Sequence, residues 1–191
     1  MIESGVLIDC GSSKVDELIS ISKSLGVTMS KVRLDEAKTT EFRPAQAMII
    51  SGGPHLFTGP EGELLWARFH FLTAVSMPVL GICLGHQALS MASGGAVYRG
   101  KENRSDVEIE LLNPEHALFV GIPNFTKFGE DHCEGVTLPK GYSALASSRS
   151  YENEAMANDA QKRYGVQFHP EISGEMGRRL IQNFFSLAAE R

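Results

Sequence analysis

A cysteine stands where a predicted strand turns directly into a predicted helix. Residues 78–82 are mostly apolar, and Cys83 follows them with Gly81 and Gly85 two positions to either side. In this arrangement, the nucleophile elbow, the flanking glycines remove Cβ atoms that would crowd a sharp turn. The N-terminus of the following helix favours negative charge, so we expect the pKa of the Cys83 thiol to be lowered. The backbone N–H of Leu84 would face an oxyanion formed on a carbonyl that Cys83 attacks.

A histidine and a glutamate follow a second predicted strand, at residues 164–168. Large apolar side chains alternate through this stretch, so the strand delivers His169 at its end, where Pro170 stops it. Glu171 is close enough to place a carboxylate against the imidazole, which would fix the tautomer and stabilise the imidazolium. Together with Cys83, the pair supplies the three parts of a cysteine–histidine–carboxylate triad.

A third stretch, Ser-Gly-Gly-Pro at residues 51–54, closes another apolar strand. Glycines here let the backbone approach a ligand closely, so the turn is a candidate source of a second oxyanion donor. Each stretch also has a plain structural alternative. These are a buried core cysteine, a surface histidine beside a surface glutamate, and an ordinary turn. The presence of all three parts favours nucleophilic catalysis.

The elements that position these groups alternate between strand and helix. Near-continuous apolar strands separated by amphipathic helices predict a parallel sheet that is covered on both faces. The second half of the chain differs, because residues 107–111 alternate strictly between apolar and acidic side chains, as in a strand with one face exposed to solvent. We therefore predict an α/β fold, a three-layer sandwich with a mostly parallel central sheet. The predicted strands are residues 6–8, 45–50, 77–82, 107–111, 142–146, 154–157 and 164–168, and the predicted helices are residues 14–25, 61–75, 85–92 and 174–189.

The composition is that of an ordinary globular protein. The 191 residues include 18 basic and 23 acidic side chains, for a formal net charge of −5, and 42% are hydrophobic. A chain of this length buries roughly 70% of its unfolded surface, so we expect a single domain over residues 1–191. The acidic balance argues against nucleic acid and anionic membranes as partners, because both require a basic surface.

No metal or organic cofactor is expected. The three cysteines and the histidines lack the spacing of metal ligands or of a disulfide framework. The stretch 95–101 resembles a phosphate-binding loop, but Glu102 follows where a Mg²⁺-binding serine or threonine is needed. No apolar run approaches the ~18 residues that cross a bilayer, and the N-terminus lacks the charge of a signal peptide. We therefore expect a cytoplasmic protein.

The three stretches occur in the order and at the separations found in class I (triad-type) glutamine amidotransferase domains, and the chain resembles that family. The resemblance covers about residues 5–187. It rests on Ser-Gly-Gly-Pro at 51–54, Gly-Ile-Cys-Leu-Gly-His-Gln at 81–87 and Gly-Val-Gln-Phe-His-Pro-Glu at 165–171. It implies a flavodoxin-like fold and the hydrolysis of glutamine to glutamate and ammonia, without a metal or cofactor.

The resemblance also implies a role for particular residues. Cys83 is the nucleophile, His169 the general acid and base, and Glu171 the group that orients it. The backbone N–H groups of Gly53 and Leu84 form the oxyanion hole. Gly52 and Gln87 contact the glutamine substrate, and the loop at Asp131 and His132 helps to hold the substrate or to meet a partner subunit.

Within the family, the chain most resembles the members that are separate polypeptides and supply ammonia for GMP synthesis from XMP. Its short length and the Glu-Ala-Met at residues 154–156 support this. The resemblance then implies a separate ATP-dependent synthetase subunit that receives the ammonia. We expect this subunit to dock over the site and to order the loop at residues 130–133.

Two departures from that subgroup keep other functions open. Asp131 replaces the serine of a Ser-His pair, and residues 9–13 replace an Asn-Gly-Gly-Gln run. One alternative is an amidotransferase for another acceptor, such as those of anthranilate or aminodeoxychorismate synthesis. The others are a stand-alone γ-glutamyl cysteine hydrolase and a non-catalytic binding module on the same scaffold.

Overall fold

The computed structural model describes residues 2–38 and 40–190, and strands alternate with helices through its first half. The elements are, in order, β1 (Ser4–Asp9), α1 (Val15–Ser24), β2 (Thr28–Arg33), β3 (Met48–Ile50), α2 (Gly62–Arg68), β4 (Val79–Ile82), α3 (Leu84–Ala92), β5 (Val97–Asn103), β6 (Asp106–Leu111), β7 (Thr126–Gly129), β8 (His132–Val136), β9 (Ser143–Ser147), β10 (Ala155–Asn158), β11 (Arg163–Val166) and α4 (Gly174–Ala189). Short 3-10 helices lie at His70–Thr73, Ala117–Phe119, Asp159–Gln161 and Pro170–Ile172.

A nine-stranded sheet crosses the molecule in the order β2-β1-β3-β4-β11-β10-β9-β6-β7. The first five strands in this order are mutually parallel, and the remaining pairings are antiparallel. The order 2-1-3-4 is that of the flavodoxin-like fold. Strands β5 and β8 form a separate two-stranded antiparallel sheet. The predicted α/β fold with a largely parallel central sheet is confirmed.

The two faces of the sheet are covered by different helices, because neighbouring residues of a strand point to opposite faces. In β1, Leu7 packs in one apolar cluster with residues of α1 and α4. Its neighbours Val6 and Ile8 pack in the other, with residues of α2 and α3. In β3, Ile49 joins the first cluster, whereas the residues beside it join the second. The molecule is therefore the expected three-layer sandwich.

The prediction of one helix over residues 61–75 is wrong. Helix α2 ends at Arg68, and a 3-10 helix follows at His70–Thr73. Phe69 and Leu72 are both buried in the core cluster beside α3. A 3-10 helix aligns residues three apart on one side, so the tighter winding lets both side chains reach that cluster.

Strands β2, β5, β7 and β8 have no counterpart among the predicted elements, and β2 shows why such strands escape prediction. It pairs with β1 at the edge of the sheet, and most of its residues are at least partly exposed. Its two apolar residues, Met29 and Val32, are three positions apart and form neither an apolar run nor an alternation, so the sequence gives no strand signal.

Among the helices of residues 2–38 and 40–190, none combines the length and the apolar character that spanning a bilayer requires.

Candidate active site

Cys83 occupies a strained turn between β4 and α3. Its backbone has φ 50° and ψ −104°, a combination that residues with a side chain rarely adopt. The turn is tight enough that a Cβ on Gly81 would lie 2.4 Å from the carbonyl oxygen of Gly85. A Cβ on Gly85 would lie 2.5 Å from the carbonyl oxygen of Ile50. Glycine is therefore required on both sides of the cysteine, as expected for a nucleophile elbow.

The strand beside β4 brings His169 to the elbow. Strand β11 runs parallel to β4, with Val166 opposite Ile82. His169 lies three residues beyond the end of β11, and its backbone N–H donates to the carbonyl oxygen of Gly129 over 2.8 Å. The hydroxyl of Ser173 donates to the carbonyl oxygen of His169 over 2.6 Å. Both hydrogen bonds fix the backbone that carries the imidazole.

Glu171 meets the imidazole from the side away from the cysteine. Nδ1 of His169 and Oε1 of Glu171 are 2.7 Å apart, and both side chains are buried. This contact leaves Nε2 of His169 for Cys83, whose sulfur lies within hydrogen-bonding reach of the ring. The structure thus brings together the three residues of the predicted triad.

The surroundings of His169 favour its protonated form. Burial disfavours the charged ring, but hydrogen bonds to Cys83 and Glu171 and the negative charge that both can carry outweigh it. Together these effects raise the pKa of His169 to about 10. At neutral pH the ring is therefore an imidazolium with a proton available on the side of Cys83.

Cys10 differs from Cys83 although both are buried. Burial raises the pKa of the Cys10 thiol well above its ordinary value, against a hydrogen bond from Ser51 that lowers it. Cys10 therefore stays a thiol, and the groups that act on it, Ser51, Asp9 and Cys83, do not include an imidazole. Of the two buried cysteines, only Cys83 is placed for nucleophilic chemistry.

The turn after β3 closes the site opposite His169. A Cβ on Gly52 would lie 2.8 Å from Cε1 of His169 and 3.4 Å from Cβ of Cys83, so only glycine leaves room for both. Gly53 and Leu84 line a cavity of about 480 Å³ that also contains Cys83 and His169. Leu84 is the first residue of α3, so its N–H has no partner within the helix.

The other predicted site residues lie around the same cavity. Gln87 is buried in its wall, where Nε2 lies 3.3 Å from both the carbonyl oxygen of Glu134 and Oε1 of Gln167. Asp131 stands at the mouth with a side chain that is 43% exposed. His132 also lines the cavity.

A ring of charge around the mouth was not predicted. Asp131 lies 3.5 Å from Nζ of Lys14 and 2.9 Å from Nη1 of Arg104, and Arg104 also contacts Glu102 over 2.7 Å. Arg99 lies on the same rim. These residues come from three separate segments of the chain, and only the tertiary fold brings them together.

Glu134 is a second residue that sequence reasoning missed. Its buried carboxylate accepts hydrogen bonds from the N–H groups of Phe57 and Thr58, at 3.1 and 2.7 Å, and from the Thr58 hydroxyl at 2.6 Å. These bonds tie the segment that follows Gly53 to β8 and so help to shape the cavity. A lone glutamate in a short strand gave no signal of this role.

The family comparison agrees with this geometry. The family model described as glutamine amidotransferase class-I matches residues 6–188. The chain belongs to this family. As a class I glutamine amidotransferase, it is an enzyme that hydrolyses glutamine.

Several curated relatives of this amidotransferase match over much or nearly all of the chain. It is 37% identical to the glutamine-hydrolyzing GMP synthase subunit of Thermococcus kodakarensis, over 97% of this chain and 98% of that protein. It is also 37% identical to the protein of the same name from Methanosarcina mazei, over 73% of this chain and 72% of that protein.

Solved structures share the fold of this amidotransferase. A protein from Thermoplasma acidophilum, described as a GMP synthase subunit, superposes with a TM-score of 0.88 at 22% identity, over 99% of this chain and 95% of that one. A glutamine amidotransferase from Thermotoga maritima gives a TM-score of 0.76 at 21% identity, over 97% of this chain and 84% of that one.

Proposed function

We propose that this chain is the glutamine-hydrolysing subunit of a two-subunit GMP synthetase and that Cys83, His169 and Glu171 carry out its chemistry. The observation that carries the proposal is the buried contact of His169 with both Cys83 and Glu171 at the wall of one cavity. The names of the relatives supply the pathway, since those proteins are described as glutamine-hydrolyzing subunits of GMP synthase.

In the first step, the Cys83 thiolate attacks the side-chain amide carbon of glutamine. The oxygen of the tetrahedral intermediate accepts hydrogen bonds from the backbone N–H groups of Gly53 and Leu84, and removing one such donor costs about 3–4 kcal/mol in comparable sites. His169 gives the proton on Nε2 to the departing nitrogen, so ammonia leaves and a glutamyl thioester remains on Cys83.

In the second step, water replaces ammonia. The imidazole of His169, now neutral, takes a proton from the water molecule as its oxygen attacks the thioester carbon. The C–S bond breaks, glutamate leaves, and the thiolate and imidazolium are restored. Glu171 accepts the hydrogen bond from Nδ1 throughout and stabilises the positive ring, which is the role of the carboxylate in such triads.

The released ammonia calls for a partner. In neutral water ammonia is mostly protonated and so is a poor nucleophile, which makes direct transfer to an acceptor site favourable. The charged rim at Lys14, Arg104 and Asp131 is the surface that a synthetase subunit would cover. Residues 130–133 are already held by hydrogen bonds and by β8, so we expect docking to act on the rim ion pairs and not to fold this segment.

The residues proposed to bind the substrate have separate roles. The bonds of Gln87 hold its amide at the cavity wall, where it can meet the bound glutamine. Asp131, which is partly exposed, and His132, which is buried, both line the cavity, and Gly52 leaves the space in which the imidazole sits. Each would affect how glutamine is held, and none of them takes part in bond breaking.

The test of the acceptor is GMP formation by two mixed chains. The purified chain is combined with an ATP- and XMP-binding synthetase subunit, and GMP is measured with glutamine or with an ammonium salt as the nitrogen source. We expect GMP from glutamine only when this chain is present, and GMP from ammonium without it. Glutamine hydrolysis that never yields GMP would remove the pathway and leave the amidotransferase chemistry.

A further inference from the structure

Three acidic or imidazole side chains meet in a buried cluster behind the cavity wall. Glu130 lies between β7 and β8, His132 begins β8, and Glu154 immediately precedes β10. Their exposures are 3%, 8% and 0%. One potential ligand atom from each lies within 4.8 Å of the other two. The triad mechanism uses neither glutamate.

Each of the three side chains has one polar atom in contact with a hydrogen-bonding group of the surrounding protein. Oε2 of Glu130 accepts from Nδ2 of Asn103 over 2.6 Å, and Oε1 of Glu154 accepts from the Ser148 hydroxyl over 2.6 Å. Nδ1 of His132 lies 2.9 Å from the carbonyl oxygen of Glu134 and must be the protonated nitrogen of that contact. Hydrogen bonds of this kind, from the ligand side chains to the surrounding protein, orient the ligands of protein metal sites.

Among residues 2–38 and 40–190, the polar atoms that these contacts leave over have no hydrogen-bond partner. Oε1 of Glu130, Nε2 of His132 and Oε2 of Glu154 are all buried and unpaired in this way. Nε2 of His132 also lies 3.4 Å from Oε2 of Glu130. With Nδ1 carrying the proton of a neutral ring, Nε2 presents a lone pair toward two carboxylates. Buried groups of this kind are costly unless a cation or added protons lie between them.

We propose that Glu130, His132 and Glu154 bind a divalent transition-metal ion, for which Zn²⁺ is the probe. With both glutamates ionised, the two carboxylates and a neutral imidazole would carry a charge of −2, which one divalent ion balances. An imidazole nitrogen with two carboxylate oxygens suits Zn²⁺ and its neighbours, whereas Mg²⁺ and Ca²⁺ favour oxygen ligands alone. The ligands of a tetrahedral zinc ion lie roughly 3.4 Å apart, so the side chains need to move inward by only about 1 Å.

The ion would link β8 to the segment before β10. Both of these pieces lie outside the parallel strands that carry Cys83 and His169. Because His132 also lines the cavity, the ion would fix the cavity wall and would take no part in bond breaking. Its effect belongs to stability and to the shape of the site.

The first test is the metal content of the whole chain. The protein is unfolded in a chelator, refolded with excess Zn²⁺, and passed through a desalting column before elemental analysis. We expect about one equivalent of zinc in the wild type and in Glu108→Gln, an exposed acid on β6 that serves as the control. We expect zinc near background in Glu130→Gln and in Glu154→Gln. Equal zinc in all four proteins, or background zinc in the wild type, would overturn the proposal.

A second measurement does not depend on the variants folding. X-ray absorption of the zinc-loaded wild type should show nitrogen and oxygen neighbours at about 2.0–2.2 Å. Sulfur neighbours at about 2.3 Å would place the ion on a cysteine and overturn the proposal.

A third measurement is thermal unfolding. The thermal midpoint of the wild type should rise with zinc, whereas that of Glu154→Gln should not, because binding to the folded state stabilises it. An unchanged wild-type midpoint would count against the site.

Discussion

The backbone N–H of Cys83 donates a 2.8 Å hydrogen bond to the carbonyl oxygen of Val166. This bond continues the parallel pairing of β4 and β11 by one residue beyond Ile82. Cys83, the proposed nucleophile, and the strand that delivers His169 are therefore locked in register by the sheet itself. Groups from distant parts of the chain meet because two neighbouring parallel strands end at the same edge.

Replacing Glu171 by glutamine should lower turnover sharply while the fold is kept. The carboxylate sits 2.7 Å from Nδ1 of His169 and, after the hydrogen bond to Cys83, helps to raise the pKa of that ring against the effect of burial. Glutamine has the same shape but cannot stabilise an imidazolium, and an equivalent change in a serine triad costs about 10⁴-fold in kcat. A titration of the His169 ring by NMR should show a lower pKa in the variant, and an unchanged pKa with unchanged kcat would contradict the assigned role.

The contribution of His169 to stability should decrease as the pH rises. Its pKa in the folded protein is about 10, above the 6.5 of an unperturbed histidine. The folded state then binds the proton more tightly, so the contribution is complete below about pH 6.5 and is lost as the pH approaches 10. Urea unfolding of the wild type and of His169→Asn should show a difference in the free energy of unfolding that is larger at about pH 6 than at about pH 9.5. A difference independent of pH would contradict this.

Adding one methyl group at Gly52 should disable the site and leave the fold intact. The new Cβ would lie 2.8 Å from Cε1 of His169, so the ring must leave its present position beside Cys83. A displacement of about 1 Å in a catalytic group can cost about 10²-fold in rate. The comparison variant is Gly26→Ala, which has φ 82° and open space around it. It should lose about 1–2 kcal/mol of stability and keep its kcat. Similar kcat values for the two variants would refute the steric argument.

Replacing Asp131 by asparagine should affect binding more than stability. The carboxylate pairs with Lys14 and Arg104, but it is 43% exposed, and exposed ion pairs contribute at most about 1 kcal/mol. We expect an almost unchanged thermal midpoint and a higher KM for glutamine or weaker stimulation by the synthetase subunit. If neither kinetic property changes, Asp131 has no role at the site.

The arrangement proposed for the centre of the site could be predicted because its sequence determinants are local. The elbow at Cys83 needs a strand, a turn with two glycines and a helix within about ten residues, and each leaves a mark in the sequence. His169 and Glu171 are likewise two positions apart on either side of a proline. The structure adds the contact between Cys83 and the pair formed by His169 and Glu171. The order of the strands in the sheet produces this contact.

The features that were missed depend on contacts between distant segments. Lys14, Arg104 and Asp131 pair across three loops, and nothing in any one loop marks a partner. The cluster of Glu130, His132 and Glu154 likewise joins the start of β8 to the segment between β9 and β10. The helix predicted over residues 61–75 was longer than α2 because apolar periodicity does not distinguish an α-helix from a 3-10 turn that continues it.

The most direct test of the central assignment is glutamate release from glutamine in the presence of the synthetase subunit. The wild type is compared with Cys83→Ala and with Cys133→Ser, a change to a half-buried thiol on the same cavity. We predict that Cys133→Ser retains most of its activity and that Cys83→Ala loses at least about 10³-fold, since the nucleophile has no substitute. Substantial glutamate release by a folded Cys83→Ala protein would contradict the account.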